Sequence, residues 1–251
     1  MRWMEYETGL RHLRLVLTHP RWIVSFLKGG RSSLFRAVVT TSLREIREAP
    51  APKTFLELAK TPLVTTLGKM GATQEYLYHA VRLIQPRYVV ETGVYRGVST
   101  AFILAGLADL GSGELVSVDL PSTSYVDPTS GIPDSSPLFP GEETGFAVPF
   151  ELRSRWSLRI GDTRNVLPPL LESLGSIDMF VHDSEHTYEL MSWEYRTAEP
   201  YIRPGGLLAS DDISWNNAFD EFCTSKRVSW KTRIGNRLGL AILGEPQAEI
   251  N

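Results

Sequence analysis

With 42% hydrophobic and 22% charged residues among 251, the chain has the composition of a globular protein with one sizeable core, which suits a catalytic domain with an appendage. A formal net charge of -3 and a pI near 6.0 supply no global attraction for nucleic acid or an anionic membrane, so no nucleic-acid partner is expected and small-molecule chemistry is. The single cysteine, Cys223, excludes an intrachain disulfide and a cysteine zinc site and reads as core. No stretch approaches the roughly 20 apolar residues that span a bilayer, and no signal-peptide pattern opens the chain, so the expectation is no transmembrane segment and a cytoplasmic location.

Residues 1–52 read as a basic helical arm and linker. Arg2, Arg11, Arg14, Arg21, Lys28, Arg31, Arg36, Arg44 and Arg47 outnumber Glu5, Glu7, Glu45 and Glu48. Leu10, Leu13, Val16 and Leu17 share a helical face, His19-Pro20 interrupts it, and Trp22, Ile23, Phe26 and Leu27 resume an apolar stripe that ends at Gly29-Gly30. Such an arm packs on the domain or on a second subunit, so a homodimer through it is one arrangement the pattern allows; membrane-surface or partner binding is the other reading. Ala49-Pro-Ala-Pro52 is a stiff linker to residues 53–251, and Thr73 is placed as the N-cap of a helix through Ile84.

From Arg87 onward strand-like runs alternate with helical patterns, the signature of an α/β, doubly wound, mostly parallel sheet covered on both faces. The expected strands are Tyr88–Thr92, Leu115–Leu120, Ser157–Ile160, Ile177–Val181 and Gly206–Ala209, with helices near 98–109, 164–174, 188–202 and 216–225. Trp230–Ile234 and Leu238–Leu243 flank Gly235-Asn236-Arg237 and read as a C-terminal hairpin that adds an antiparallel strand. Residues 121–155, with six prolines, three glycines and little periodicity, form a long loop. Loops of that length usually serve as lids, and a substrate lid is expected here, with plain decoration as the alternative.

Each of the five strands ends in or runs into an acid: Glu91, Asp119, Asp162, Asp183 and Asp211. Ligands of open α/β sheets sit outside the carboxyl ends of the strands, so this row lines the expected crevice. The first turn, Glu91-Thr-Gly93-Val-Tyr95-Arg-Gly97-Val-Ser99-Thr100, lets the backbone approach a ligand and opens a helix with unpaired N–H groups. It is not the G-x-G-x-x-G of a dinucleotide site, which argues for a ligand without a pyrophosphate. Asp119 can accept from two ribose hydroxyls, and Gly161-Asp162-Thr163 can hold an adenine amino group. Each of these residues also has a plain reading, as a tight turn or a helix cap.

Asp183 and the pair Asp211-Asp212 crowd one sheet edge. Like charges so close resist joint ionisation, which implies a hard cation between them or strongly raised pKa values, and the cation is the simpler solution. On these residues the chain resembles the class I S-adenosylmethionine-dependent methyltransferases over about residues 70–245, with Glu91-x-Gly-x-x-x-Gly97 resembling their methionine-binding turn. Phe180-Val-His-Asp-Ser-Glu-His-Thr-Tyr-Glu189 with Ile202-Arg-Pro-Gly-Gly-Leu-Leu-Ala-Ser-Asp-Asp212 resembles the macrocin and catechol O-methyltransferase-like branch, metal-dependent in many members. Asp211 and Asp212 follow Asp183 by 28 and 29 positions, the spacing of the catechol-type magnesium ligands. The third ligand of those enzymes is Asn, whereas Asp212 stands here as in sugar O-methyltransferases.

The resemblance implies a Rossmann-like methyltransferase sheet and S-adenosylmethionine held by Glu91, Gly93, Tyr95, Gly97, Ser99, Thr100, Asp119, Gly161, Asp162 and Thr163. It further implies Mg2+ on Asp183, Asp211 and Asp212, and a hydroxyl of a small natural product as acceptor. His186 occupies the place of the catechol enzymes' catalytic lysine and is the expected base, with Asp183 the base of a metal-independent version. His182, adjacent to Asp183, points to the opposite face if the strand still alternates and is assigned a structural role. An NAD-dependent oxidoreductase and a non-catalytic binding module are the rival classes, the first opposed by the missing glycine motif and the second by the complete acidic rim.

Overall fold

The computed structural model describes residues 20–68, 73–120, 138, 141–225 and 227–245, the side chains of 20–31 excepted. Helices α1 (Pro20–Glu48), α2 (Phe55–Leu58) and α3 (Gln74–Ile84) precede the sheet. The sheet region runs β1 (Tyr88–Thr92), α4 (Val98–Leu110), β2 (Glu114–Asp119), β3 (Trp156–Ile160), α5 (Thr163–Leu174), β4 (Ile177–His182), α6 (Tyr188–Ala198), β5 (Ile202–Ser210), α7 (Ala218–Phe222), β6 (Val228–Ile234) and β7 (Leu238–Leu243). Strand order is β3-β2-β1-β4-β5-β7-β6. The first five strands pair in parallel, and β7 pairs antiparallel with both β5 and β6.

The inner strands β1, β2, β4 and β5 read as apolar runs because both faces are covered, whereas the edge strands β3 and β6 stay largely exposed. Val89, Met179, Val181, Leu207 and Ala209 face a core built with α3, α4 and the second half of α1. Val90, Phe180 and Leu208, one residue out of step, face a second core with α5, α6 and α7. The chain order reverses between β1 and β4, which opens a crevice at their carboxyl ends.

Several boundaries differ from the sequence pattern, among them α7, which spans only Ala218–Phe222 of the expected 216–225. Pro20 opens α1, where its missing N–H costs nothing, and the helix continues through Gly29-Gly30 to Glu48. Two helical glycines cost about 1 kcal/mol each relative to alanine, and docking of Val38, Val39, Leu43 and Ile46 in the core offsets that. The face expected over Leu10–Leu17 lies outside the described residues, as does most of the 121–140 loop. Helix α6 stops at Ala198, where Pro200 introduces a 3-10 turn over Glu199–Tyr201. Strand β5 begins four residues earlier than expected, and a register shift against β4 between Ile177 and Met179 accommodates Pro204-Gly205.

Among the described residues no helix is long and apolar enough to cross a membrane. Cys223 is buried, and burial raises its thiol pKa to about 11.

Candidate active site

The glycine turn is closed from two sides. Gly93 (φ +83°) passes so near the end of β4 that a Cβ would lie 1.9 Å from the Asp183 carbonyl oxygen. Gly97 (φ +85°) caps α4, and there a Cβ would lie 2.8 Å from Gly145 Cα. Gly145 N donates to Tyr95 O at 2.7 Å and Ala147 N to Arg96 O at 2.9 Å, so the described end of the long loop lies along this turn. Helix α1 reaches the same segment: Arg36 Nε donates to Phe146 O at 3.0 Å, and Phe35 packs against the Phe146 ring.

Glu91 and Asp119 are both committed to protein groups. Glu91 is fully buried; its Oε2 accepts from Thr100 Oγ1 at 2.8 Å and Ser117 Oγ at 2.7 Å. Its Oε1 is buried with no hydrogen-bond partner among the described residues, and burial raises its pKa to about 7. Asp119 Oδ2 accepts from Tyr95 N at 2.8 Å and Val94 N at 3.2 Å, and its Oδ1 from Leu120 N at 2.9 Å. Asp119 therefore shapes the turn, with one acceptor site on Oδ1 left for a ligand hydroxyl. The orphaned Glu91 oxygen and a backbone cradle that a Cβ would fill suit a ligand with a cationic or N–H group and little bulk at the turn.

Asp162 is the N-cap of α5, its Oδ1 accepting from Arg164 N at 2.8 Å. Gly161 N donates to Asp119 O at 2.8 Å, which fixes the ends of β2 and β3 together, and Thr163 is buried as the first residue of α5. Thr100 serves Glu91. Ser99 reaches across the turn instead, its Oγ donating to Asp183 Oδ2 at 2.9 Å.

On the other side of the crevice Asp183 closes β4. Burial and then the neighbouring Asp211 carboxylate hold its pKa well above the ordinary value. His186 lies three residues on, in the connection before α6, its Nε2 3.9 Å from Asp183 Oδ1 and without a hydrogen-bond partner although buried. Burial first, then the charge of His182, lowers the His186 pKa to about 4, so its imidazole is neutral in the physiological range. Its ring packs against Trp215, whose own side chain is largely exposed. Asn216, which follows the acidic pair closely, anchors this segment by donating to His186 O at 3.0 Å and accepting from Ala218 N at 2.9 Å.

His182 turns away from the crevice. Its Nδ1 lies 2.7 Å from Glu194 Oε2 on α6, and both side chains are fully buried. Thr92 and Ser184 also donate to that carboxylate, at 2.5 and 3.0 Å. Burial alone would raise the Glu194 pKa; His182 and the two hydroxyls more than offset it and leave the group below its ordinary value.

Asp211 and Asp212 come together with Asp183 at this edge, and a cation meets them. Arg237, in the β6–β7 turn, donates from Nη2 to Asp211 Oδ2 at 2.9 Å and lies with Nε 3.1 Å from Asp212 Oδ1. Consecutive residues of a strand point to opposite faces, but Asp212 is left-handed (φ +46°), which breaks the alternation and lets both carboxylates meet one guanidinium. Ile213 N donates to Arg237 O at 3.0 Å, so the backbone of the turn is tied here too. As arranged, these side chains do not fit the expected magnesium site. Among the described residues no group of three or more His, Cys, Asp or Glu side chains could hold a metal ion. Sequence reasoning missed both Arg237 and Glu194. Arg237 read only as part of a turn, and Glu194 carried no signal beyond its place on a helix.

Residues 90–213 match the model of a family described as a methyltransferase domain. Among solved structures the fold is similar to cofactor-bound Rv0187 from MTB, with 16% identity, TM-score 0.51, and coverage of 84% of this chain and 91% of that one. It is also similar to the O-methyltransferase TomG from Streptomyces achromogenes, involved in tomaymycin synthesis and solved in complex with SAM, with 17% identity, TM-score 0.50, and coverage of 83% and 90%. No curated protein matches the chain in sequence. Residues 90–213 thus match a methyltransferase domain, and the glycine turn and the strand order around it are those the sequence resemblance implied.

Proposed function

We propose that this protein transfers the methyl group of S-adenosylmethionine to a hydroxyl oxygen of a small natural product, of the sugar, glycoside or polyketide class. The observation that carries this reading is the buried, unpartnered His186 Nε2 beside Asp183, the residue whose carbonyl closes on Gly93 of the glycine turn. When bound, S-adenosylmethionine supplies an electrophilic methyl group whose C–S bond breaks as the O–C bond forms, leaving S-adenosylhomocysteine and a methyl ether.

The residues divide as follows. Gly93, Tyr95 and Gly97 shape the turn that receives the amino-acid part of the cofactor, with the free Glu91 oxygen facing its ammonium; Ser99 and Thr100 brace it. Asp119 keeps one acceptor site for the ribose, and Gly161, Asp162 and Thr163 border the adenine. His186 accepts the hydroxyl proton through Nε2, and Asp183 stabilises the imidazolium that results or takes the proton itself. Of the two versions expected from the sequence, magnesium-dependent and metal-independent, the pairing of Arg237 with Asp211 and Asp212 favours the second. The similarity to TomG supports an oxygen acceptor and a natural-product setting.

Calorimetry with S-adenosylhomocysteine and with NAD tests the cofactor, and incubation with methyl-labelled S-adenosylmethionine and a panel of sugars, glycosides and polyketides tests the acceptor. Binding of the adenosyl ligand with label transfer to an oxygen is the expected result. Binding of NAD alone would assign an oxidoreductase, and binding of neither would leave a non-catalytic module.

A further inference from the structure

The acidic pair at the end of β5 has the residue types and spacing of a divalent-metal site, yet its charge is already met from within the chain. The Nε/Nη2 edge of Arg237 spans the two carboxylates at 3.1 and 2.9 Å. Three features make this a built arrangement. The left-handed backbone of Asp212 aims both carboxylates at one point. The bond from Ile213 N to Arg237 O fixes where the arginine starts. Asp211 is buried, and its second oxygen, Oδ1, has no partner among the described residues, so removal of the guanidinium would strand a buried carboxylate. A guanidinium is planar, always charged and forked, which suits a bridge between two carboxylates where a lysine would reach one.

We propose that Arg237 is the resident cation of this active site: its guanidinium occupies the position that a divalent metal takes between such carboxylates, so the enzyme works without a metal. This rests on the methyltransferase reading above. Arg237 is a positioning residue, holding Asp211 and Asp212 in place. Its donors outside the two ion pairs can bind an acceptor oxygen, but a hydrogen bond acidifies that oxygen less than direct coordination by a metal does. The proton must therefore leave to the protein's own base.

The test measures Mn2+ binding by electron paramagnetic resonance and calorimetry in the unaltered chain, in Arg237→Ala and in Arg237→Ala/Asp211→Asn. S-adenosylhomocysteine affinity serves as the readout of folding. The unaltered chain should bind no Mn2+ at 1:1 stoichiometry below about 1 mM, a concentration typical of weak carboxylate sites. Arg237→Ala should gain one site, and Asp211→Asn should abolish it again. Methyl transfer by the unaltered chain should be the same in excess chelator and in excess Mg2+. Should Arg237→Ala misfold, Arg237→Gln keeps the aliphatic stem and an amide donor while removing the charge, and the same gain is expected. Stoichiometric Mn2+ binding by the unaltered chain that Asp211→Asn removes would overturn the proposal, as would failure of both folded Arg237 variants to gain a site. Loss of S-adenosylhomocysteine binding in the unaltered chain would instead strike the methyltransferase reading, so the two failures are distinguishable.

Discussion

Ser99 Oγ donates to Asp183 Oδ2 at 2.9 Å, and this bond joins the helix that begins at the glycine turn to the acid that closes β4. In the proposed reading one side of the crevice receives the cofactor and the other the acceptor, so a single hydroxyl would set their separation. In-line transfer is sensitive to that distance, because misplacement by about 1 Å can cost a hundredfold in rate. Ser99→Ala should lower kcat about tenfold to a hundredfold, the worth of a hydrogen bond to a charged group, while changing S-adenosylhomocysteine affinity far less. A loss of affinity with kcat unchanged would show that Ser99 serves binding alone.

Gly93→Ala should be severe. Its φ of +83° disfavours a side chain, and the new Cβ would lie 1.9 Å from the Asp183 carbonyl oxygen, which must move and carry its side chain with it. Gly175→Ala is the control, with a comparable φ of +71° but nothing within 4 Å of the added atom. Urea denaturation should show a loss of about 1 kcal/mol for Gly175→Ala, from backbone strain, and at least twice that for Gly93→Ala. Cofactor binding should fail only in Gly93→Ala.

The pair formed by His182 and Glu194 is fully buried, and truncating one partner leaves the other uncompensated. Glu194→Ala should cost about 3–5 kcal/mol in chemical denaturation. Thr92→Val, which removes one neutral donor to the same carboxylate, should cost about 1 kcal/mol. A loss under 1 kcal/mol for Glu194→Ala would mean that the network contributes little to the fold.

Glu91 predicts a pH dependence. Its pKa rises on folding from an ordinary 4.5 to about 7 through burial, so the folded state binds the proton more tightly than the unfolded chain. The resulting stabilisation is full below pH 4.5 and is lost as pH rises through about 7, an effect on the order of 3 kcal/mol. Glu91→Gln keeps the neutral form at every pH and can still accept from Ser117 and Thr100. Unfolding midpoints taken from pH 5 to 8 should therefore fall more steeply for the unaltered chain than for Glu91→Gln, and parallel curves would refute the raised pKa.

The sheet was legible in the sequence because its inner strands are buried on both faces and so read as short apolar runs between polar turns. Four of the five parallel strands lie within about two residues of their expected bounds. The exception, β5, starts early because β4 pairs with it through a register shift, which no local pattern announces. Helix α1 contradicts the break at Gly29-Gly30 for the same reason: the local preference of two glycines is outweighed by burial of side chains well beyond them in sequence.

The acids were legible one at a time, since each closes a run of apolar residues, and their arrival at one sheet edge follows from a parallel sheet. The sequence by itself determined the fold class, the glycine turn and the crowding of Asp183, Asp211 and Asp212. Only the tertiary structure decided what answers that crowding. Strand β7 pairs antiparallel with β5 in a register that sets Ser210 against Gly239. That register carries the turn before β7 to the end of β5 and brings Arg237 to Asp211 and Asp212. Long-range strand pairing is written in the packing of two whole strands rather than in any one residue, which is why the cation at this site could be anticipated as a charge but not as an arginine.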